Sequence, residues 1–268
     1  MSERSLRVGA VSFLNTVPLI EGLDEEPGIE VTADLPSRIG RALDEGRVDV
    51  GLIPAVEYLR GVGGDIVPGI CIGAHGAVRT VKIFSQVPLR AIDRVSVDRG
   101  SRSSVALMNV LLGELHGIRP RIEEFEPREG ALFDRAPTAL VIGDRADAID
   151  PAGAQVTDRG ALWNEVTGLP FVFAAWVLSP GLEAGPERER LIVALKRARD
   201  RGRRELDVVA RREAAARGLD LHRVTSYWRE HVYYDLGERE LAGLRRFAEL
   251  ALAHGQIEGL RPVEVATT

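Results

Sequence analysis

Two short polar stretches stand where small acidic molecules are commonly bound. Ser12-Phe13-Leu14-Asn15-Thr16 follows the apolar run Leu6 to Val11, and Asp98-Arg99-Gly100-Ser101-Arg102-Ser103-Ser104 follows the run Arg94 to Val97. Each reads as a strand end opening a helix. Open parallel sheets bind ligands at such ends, where free helix N–H groups attract anions. Asn15 both donates and accepts hydrogen bonds, which suits a ligand carrying a carboxylate and a hydroxyl. Ser101, Ser103 and Ser104 add hydroxyls, and Arg102 adds charge. The alternative at each stretch is a plain helix cap, by Ser12 or Asn15 in the first and by Ser101 or Ser103 in the second. Two facing helix N-termini suit a dicarboxylate.

Other turns border the same crevice in this reading. Pro54-Ala55 ends a strand, and Gly143-Asp144 ends another, with Asp144 either a cleft acid or a helix cap. Ser85 stands where the chain is expected to cross between lobes, as a cleft-facing hydroxyl or as a loop serine. His75, in GAHGAV, falls just before that crossing. The other histidines, His116, His222, His231 and His254, read as surface or packing residues, and none has metal-ligand spacing. The chain lacks HExxH, P-loop and GxSxG motifs and a GxGxxG after a strand. Trp163, Phe171, Phe173 and Trp176 wall an apolar pocket or, more usually for such residues, fill a core. The arginines between Lys196 and Arg217 alternate with acids and read as a solvated helix face.

The elements that position these residues follow from periodicity. Leu6–Val11, Ile29–Ala33 and Val48–Ile53 are strand-like, separated by expected helices at Phe13–Leu23 and Ser37–Glu45. That alternation implies a parallel sheet covered by helices. It restarts with strands at Thr80–Phe84 and Arg94–Val97, a helix over Ser103–Gly113, and strands at Arg121–Phe125 and Ala139–Ile142. Phe171–Leu178 is a buried strand, and helices fill the chain from Pro186 to Ala253. Two α/β lobes result, with a ligand cleft between them. Lobe I takes residues 1–84 and 177–268, and lobe II takes 89–170. The crossings fall near 85–88 and 171–176.

Composition narrows the function classes. The chain has 268 residues, 35 basic and 40 acidic side chains and a net charge of −5. With 45% hydrophobic and 28% charged residues it is globular rather than disordered. The acidic balance argues against a nucleic-acid partner. A single cysteine, Cys71, excludes an internal disulfide framework and a Cys-rich zinc site. The N-terminus shows no secretory leader and no run approaches the length of a membrane span, so the expectation is a cytoplasmic protein with no membrane partner.

The same segments carry a family resemblance. RVGAVSFLNTVPLIEGL resembles the opening of the chorismate dehydratases of the futalosine route to menaquinone, a strand followed by S-[YF]-L-N-[TA]-x-P-L. The matching residues are Ser12, Phe13, Leu14, Asn15, Thr16, Pro18 and Leu19. The likeness continues through DVGLIPAVEYLR (Asp49 to Arg60), VKIFSQVPL (Val81 to Leu89), SRSSVALMNVLL (Ser101 to Leu112), ALVIGDRA (Ala139 to Ala146) and LWNEVTGLPFVFAAW (Leu162 to Trp176). It implies a two-lobed fold like that of type 2 periplasmic binding proteins.

The implied activity is loss of water from chorismate to give 3-[(1-carboxyvinyl)oxy]benzoate, with no metal or organic cofactor. Asn15 and Ser85 would act on the reacting region. Ser12, Thr16, Pro54, Ala55, Ser101, Ser103, Ser104, Gly143 and Asp144 would bind substrate, its carboxylates resting at Asn15–Thr16 and Ser103–Ser104. Neither Asn15 nor Ser85 is a base at neutral pH, so the enolpyruvyl carboxylate of the substrate is the expected proton acceptor. The alternatives are the related 1,4-dihydroxy-6-naphthoate-forming enzyme and a non-enzymatic binder of small carboxylates.

Overall fold

The computed structural model describes residues 4–98, 102–125, 132–151 and 153–267. Ser101 lies outside them. The strands in chain order are β1 (Leu6–Val11), β2 (Ile29–Asp34), β3 (Val50–Pro54), β4 (Ile66–Ala74), β5 (Val81–Ser85), β6 (Arg94–Asp98), β7 (Arg121–Phe125), β8 (Thr138–Ile142), β9 (Gln155–Asp158) and β10 (Phe171–Leu178). They form two five-stranded sheets, ordered β2-β1-β3-β10-β4 and β7-β6-β8-β5-β9.

Both sheets follow one plan. Three parallel strands lie side by side, β2-β1-β3 in one sheet and β7-β6-β8 in the other. The fourth strand arrives from the opposite lobe and runs antiparallel: β10 against β3 and β4, and β5 against β8 and β9. The carboxyl ends of the parallel strands therefore face each other across the gap between lobes.

Helices α1 (Pro36–Asp44) and α2 (Ala55–Leu59) follow β2 and β3. Gly9 and Gly51 are register partners on β1 and β3, and Ile39 of α1 fills the space before both. A Cβ on Gly9 would stand 3.0 Å from Ile39, so the missing side chains let the helix seat on the sheet. Helix α3 (Arg102–His116) follows β6, α4 (Asp144–Ala148) follows β8 and α5 (Arg159–Thr167) follows β9. The C-terminal helices are α6 (Pro186–Arg204), α7 (Leu206–Arg217), α8 (Leu221–Ser226) and α9 (Glu238–Ala253). Leu191, Leu195, Val209 and Phe247 from these helices join the core of the first sheet. Among the described residues no helix is long and apolar enough to cross a membrane.

The structure departs from the sequence reading in four places. Strand β5 pairs in the second sheet, so the first crossing is residues 75–80 rather than 85–88. Strand β10 pairs in the first sheet over its whole length, so the return crossing precedes Phe171. Alternating hydrophobicity marks a strand but does not say which sheet it joins. The expected helix over Phe13–Leu23 is a 3₁₀ turn at Leu14–Leu19 and a second short one at Leu23–Glu25. Pro18 lacks an N–H, and β-branched Thr16 and Val17 disfavour an α-helix there. Finally, β4 and β9 escaped the periodicity: Pro68, Gly69 and Gly73 interrupt the first, and the second has only four residues.

Candidate functional site

The gap between the sheets holds a cleft of about 650 Å³, counting its open mouth. That size suits a small organic ligand. Val11 and Pro54 from β1 and β3 line one side; Ile142 at the end of β8, Gly143 just after it and the start of α3 line the other. The rings of Phe13 and Phe173 supply apolar walls. The hydrogen-bonding side chains at the cleft are Asn15, Thr80, Arg102, Ser103 and Ser104, and Arg102 alone among the described lining residues carries a charge.

Asn15 sits in the 3₁₀ turn after β1, and that turn is pinned from outside the sheet. The Tyr234 phenol donates to the Asn15 carbonyl at 2.9 Å, and the Trp228 indole N–H donates to the Leu14 carbonyl at 3.1 Å. Thr16 Oγ1 lies 3.5 Å from Asn15 Oδ1, orienting the amide. Thr16 is itself fully buried and does not reach the cleft. Ser12 is exposed, is absent from the cleft lining, and its N–H donates to the Asp34 carbonyl at 3.2 Å.

The second lobe presents the N-terminus of a fifteen-residue helix, α3. Its free N–H groups and dipole favour an anion. Ser104 lines the cleft there. Ser103 does too, but its Oγ accepts from the Val56 N–H of α2 at 3.2 Å, which ties the two lobes together. Arg102 stands at the rim, 46% exposed, 3.6 Å from Glu57, whose carboxylate also accepts from Arg60 at 2.9 Å. Ala55 is buried in the first turn of α2 and does not line the cleft, whereas Pro54 does.

Two expected residues point elsewhere. Ser85 is 1% exposed at the far end of β5, donating to the Val87 carbonyl at 2.7 Å and sharing a 2.8 Å hydrogen bond with Thr138. Four residues of strand, roughly 14 Å, separate it from Val81 at the cleft. Its placement there reflected the misplaced crossing. Asp144 is absent from the lining and lies 3.8 Å from Arg217. Burial pushes its carboxyl above the ordinary value, with Arg217 opposing.

Thr80 is the cleft hydroxyl that the sequence reading passed over. It precedes β5 in the true crossing, and its Oγ1 lies 2.9 Å from the Tyr227 hydroxyl. The backbone before it is unusual: Arg79 has φ +64°, the one non-glycine residue in the left-handed region among the described residues. Such strain persists only where surroundings over-determine it. Here the Arg79 N–H donates to Asp158 at 2.7 Å, and its guanidinium donates to Asp147 at 2.6 and 3.2 Å and to Ser226 at 2.8 Å. A threonine directly before the apolar strand Val81–Phe84 was the local signal available.

The remaining candidates are structural. His75 pairs with Glu240 at 2.7 Å and packs on Tyr233, anchoring the crossing to α9. Trp163, Phe171 and Phe247 form edge-on aromatic contacts in the core, and only Phe173 of the expected aromatic cluster lines the cleft. Among the described residues no three His, Cys, Asp or Glu side chains are grouped to hold a metal ion.

Comparison with known proteins agrees with this architecture. A family model described as menaquinone biosynthesis matches residues 6–253. The chain is 32% identical to a chorismate dehydratase of Thermus thermophilus, covering 90% of this chain and 93% of that one. It is 23% identical to a chorismate dehydratase of Campylobacter jejuni, covering 91% and 97%. Among solved structures it resembles a protein of Archaeoglobus fulgidus, with TM-score 0.75 and 16% identity over 96% of this chain and 100% of the other. It also resembles the periplasmic aliphatic sulphonate binding protein of Escherichia coli, with TM-score 0.62 and 14% identity over 100% and 95%. These likenesses give the two-lobed binding-protein fold.

Proposed function

The chain belongs to the menaquinone biosynthesis family, and from that premise we propose that it is a chorismate dehydratase, a hydro-lyase that forms 3-[(1-carboxyvinyl)oxy]benzoate. The observation that carries the reading beyond family membership is the distribution of polar groups in the cleft. Asn15 and Thr80 both present polar side chains to the cleft, while Arg102, Ser104 and the α3 N-terminus offer an anion site. Chorismate matches that pattern with two carboxylates, a ring for Phe13 and Phe173, and a C4 hydroxyl for Asn15 and Thr80.

In the proposed reaction the C3 proton moves to the enolpyruvyl carboxylate. The C3–H electron pair forms the C3–C4 double bond, the C4–O bond breaks, and hydroxide departs. Proton and hydroxide together make the water lost, and the ring becomes aromatic. None of the described side chains lining the cleft is a base at neutral pH. The protein's part is therefore orientation: it holds the enolpyruvyl arm over C3 and disfavours rearrangement or loss of pyruvate.

Incubation of the purified protein with chorismate, followed by liquid chromatography and mass spectrometry, tests this. The expected product is lighter than chorismate by one water and keeps the enolpyruvyl group. Chorismate left intact by folded protein would refute the reading. The fold shared with a sulphonate binding protein would then favour a solute-binding role, detectable as calorimetric binding without turnover.

A further inference from the structure

Residues 221–236 contribute no strand of their own, bridge β4 only at Gly73–Tyr233, and reach both sides of the cleft. Trp228 and Tyr234 hold the Leu14–Asn15 turn through its carbonyls. Ser226 and Tyr227 meet Arg79 and Thr80 in the crossing. Tyr227 is the point where the two sets join: its hydroxyl is 2.9 Å from Thr80 Oγ1 and lies beside the Asn15 side chain. The residue is 4% exposed and absent from the cleft lining, so it reaches a ligand only through those two partners.

The hydrogen-bond inventory gives this junction a direction. Asn15 Oδ1 faces the Thr16 hydroxyl, so the group Asn15 turns toward Tyr227 is its N–H₂ rather than an acceptor. The phenol has one proton, and Thr80 Oγ1 is its remaining partner. Burial, with Asp144 and Asp147 nearby, raises the phenol pKa, so that proton is retained. Thr80 then keeps its own hydroxyl proton for the cleft; the Val78 carbonyl, at 3.4 Å, is a weak competitor.

We propose that Tyr227 is a positioning residue for the dehydration. Its hydroxyl fixes the Asn15 amide and the Thr80 hydroxyl relative to each other and makes Thr80 a hydrogen-bond donor to the substrate. The proposal rests on the chorismate dehydratase reading for its kinetic test. Tyr227 itself gains and loses no proton in the reaction.

Tyr227→Phe removes one oxygen and leaves the ring to pack. The expected result is a kcat at least tenfold lower, with KM for chorismate changed less than threefold. The fraction of consumed chorismate released as pyruvate should also rise, a readout that does not depend on how much protein is active. Because Tyr227 acts partly through Thr80, Tyr227→Phe combined with Thr80→Val should be slowed by less than the product of the two single effects. A kcat within twofold of the unaltered protein, or multiplicative effects in the double variant, would overturn the proposal. If the unaltered protein leaves chorismate intact, the functional reading has failed. Crystal structures of the protein and of Tyr227→Phe then decide the positioning claim: displaced Asn15 and Thr80 side chains support it, and unmoved ones overturn it.

Discussion

Gly202 lies so close to Pro18 that a Cβ built on it would stand 2.1 Å from the Pro18 carbonyl oxygen. Helix α6 thereby rests directly on the 3₁₀ turn that carries Asn15. In an exposed helix interior, glycine to alanine gains up to about 1 kcal/mol. Here the sign reverses. Gly202→Ala is expected to cost about 1–3 kcal/mol through overpacking against backbone. It should also lower kcat by displacing Asn15. Denaturant melts read the first effect and steady-state kinetics the second; a stabilised, fully active variant would contradict the packing argument.

Thr80 and Ser85 exchange the roles that strand sequence suggests. Thr80→Val is expected to reduce kcat at least tenfold while the melting temperature stays within a few degrees. Ser85→Ala should leave kcat per folded molecule within about threefold. Its cost is stability, about 1 kcal/mol, because Thr138 loses its buried partner. Parallel kinetic and thermal measurements on the two variants separate the positions.

Asp49 links the start of the chain to β3. Its buried carboxylate accepts from the Arg7 N–H at 2.8 Å and from the Arg7 guanidinium at 3.0 and 3.2 Å, and it also pairs with Arg4. Burial pushes its pKa up, but the Arg7 hydrogen bonds outweigh that and hold it below the ordinary 3.8. A depressed carboxylate pKa contributes stability above the unfolded value and loses it as pH falls through the folded one. Asp49→Asn should therefore cost about 1–2 kcal/mol at pH 7, a modest figure because Arg7 and Arg4 are solvent-screened. Denaturation curves of the two proteins should converge below pH 4; a constant gap would exclude this linkage.

Arg159 is fully buried at the first position of α5, and its three guanidinium nitrogens have no hydrogen-bond partner among the described residues. Burial lowers its pKa to about 9, with Asp158 opposing. An unpaired buried cation is destabilising, so Arg159→Leu should raise stability by about 1–3 kcal/mol. The unfolded chain, in which arginine keeps its ordinary and much higher pKa, binds more protons above pH 9. The penalty is therefore complete below pH 9 and fades as pH rises. The gain from Arg159→Leu should be largest near pH 7 and shrink above pH 9. Urea titrations at both ends of that range would expose the opposite trend if the argument fails.

Local sequence determined the repeating part of this protein. The buried runs of β1, β3, β6, β8 and β10, the helix α3 behind its serines and the charged C-terminal helices all follow from periodicities of two and 3.6 residues. Those patterns, with the SFLNT segment, placed Asn15, Ser103 and Ser104 at strand ends and brought the family into view. The cleft hydroxyl was decided only in three dimensions. Whether Thr80 or Ser85 faces the ligand depends on which sheet β5 joins and which strand end meets the gap, and pairing with β8 and β9 settles both. The same holds for Tyr227 and Tyr234, which lie 147 and 219 residues from the partners they hold. Their phenols read locally as ordinary aromatic positions. A hydrogen bond between distant residues leaves no periodic trace in the chain, because its geometry exists only after both lobes and the C-terminal helices have packed.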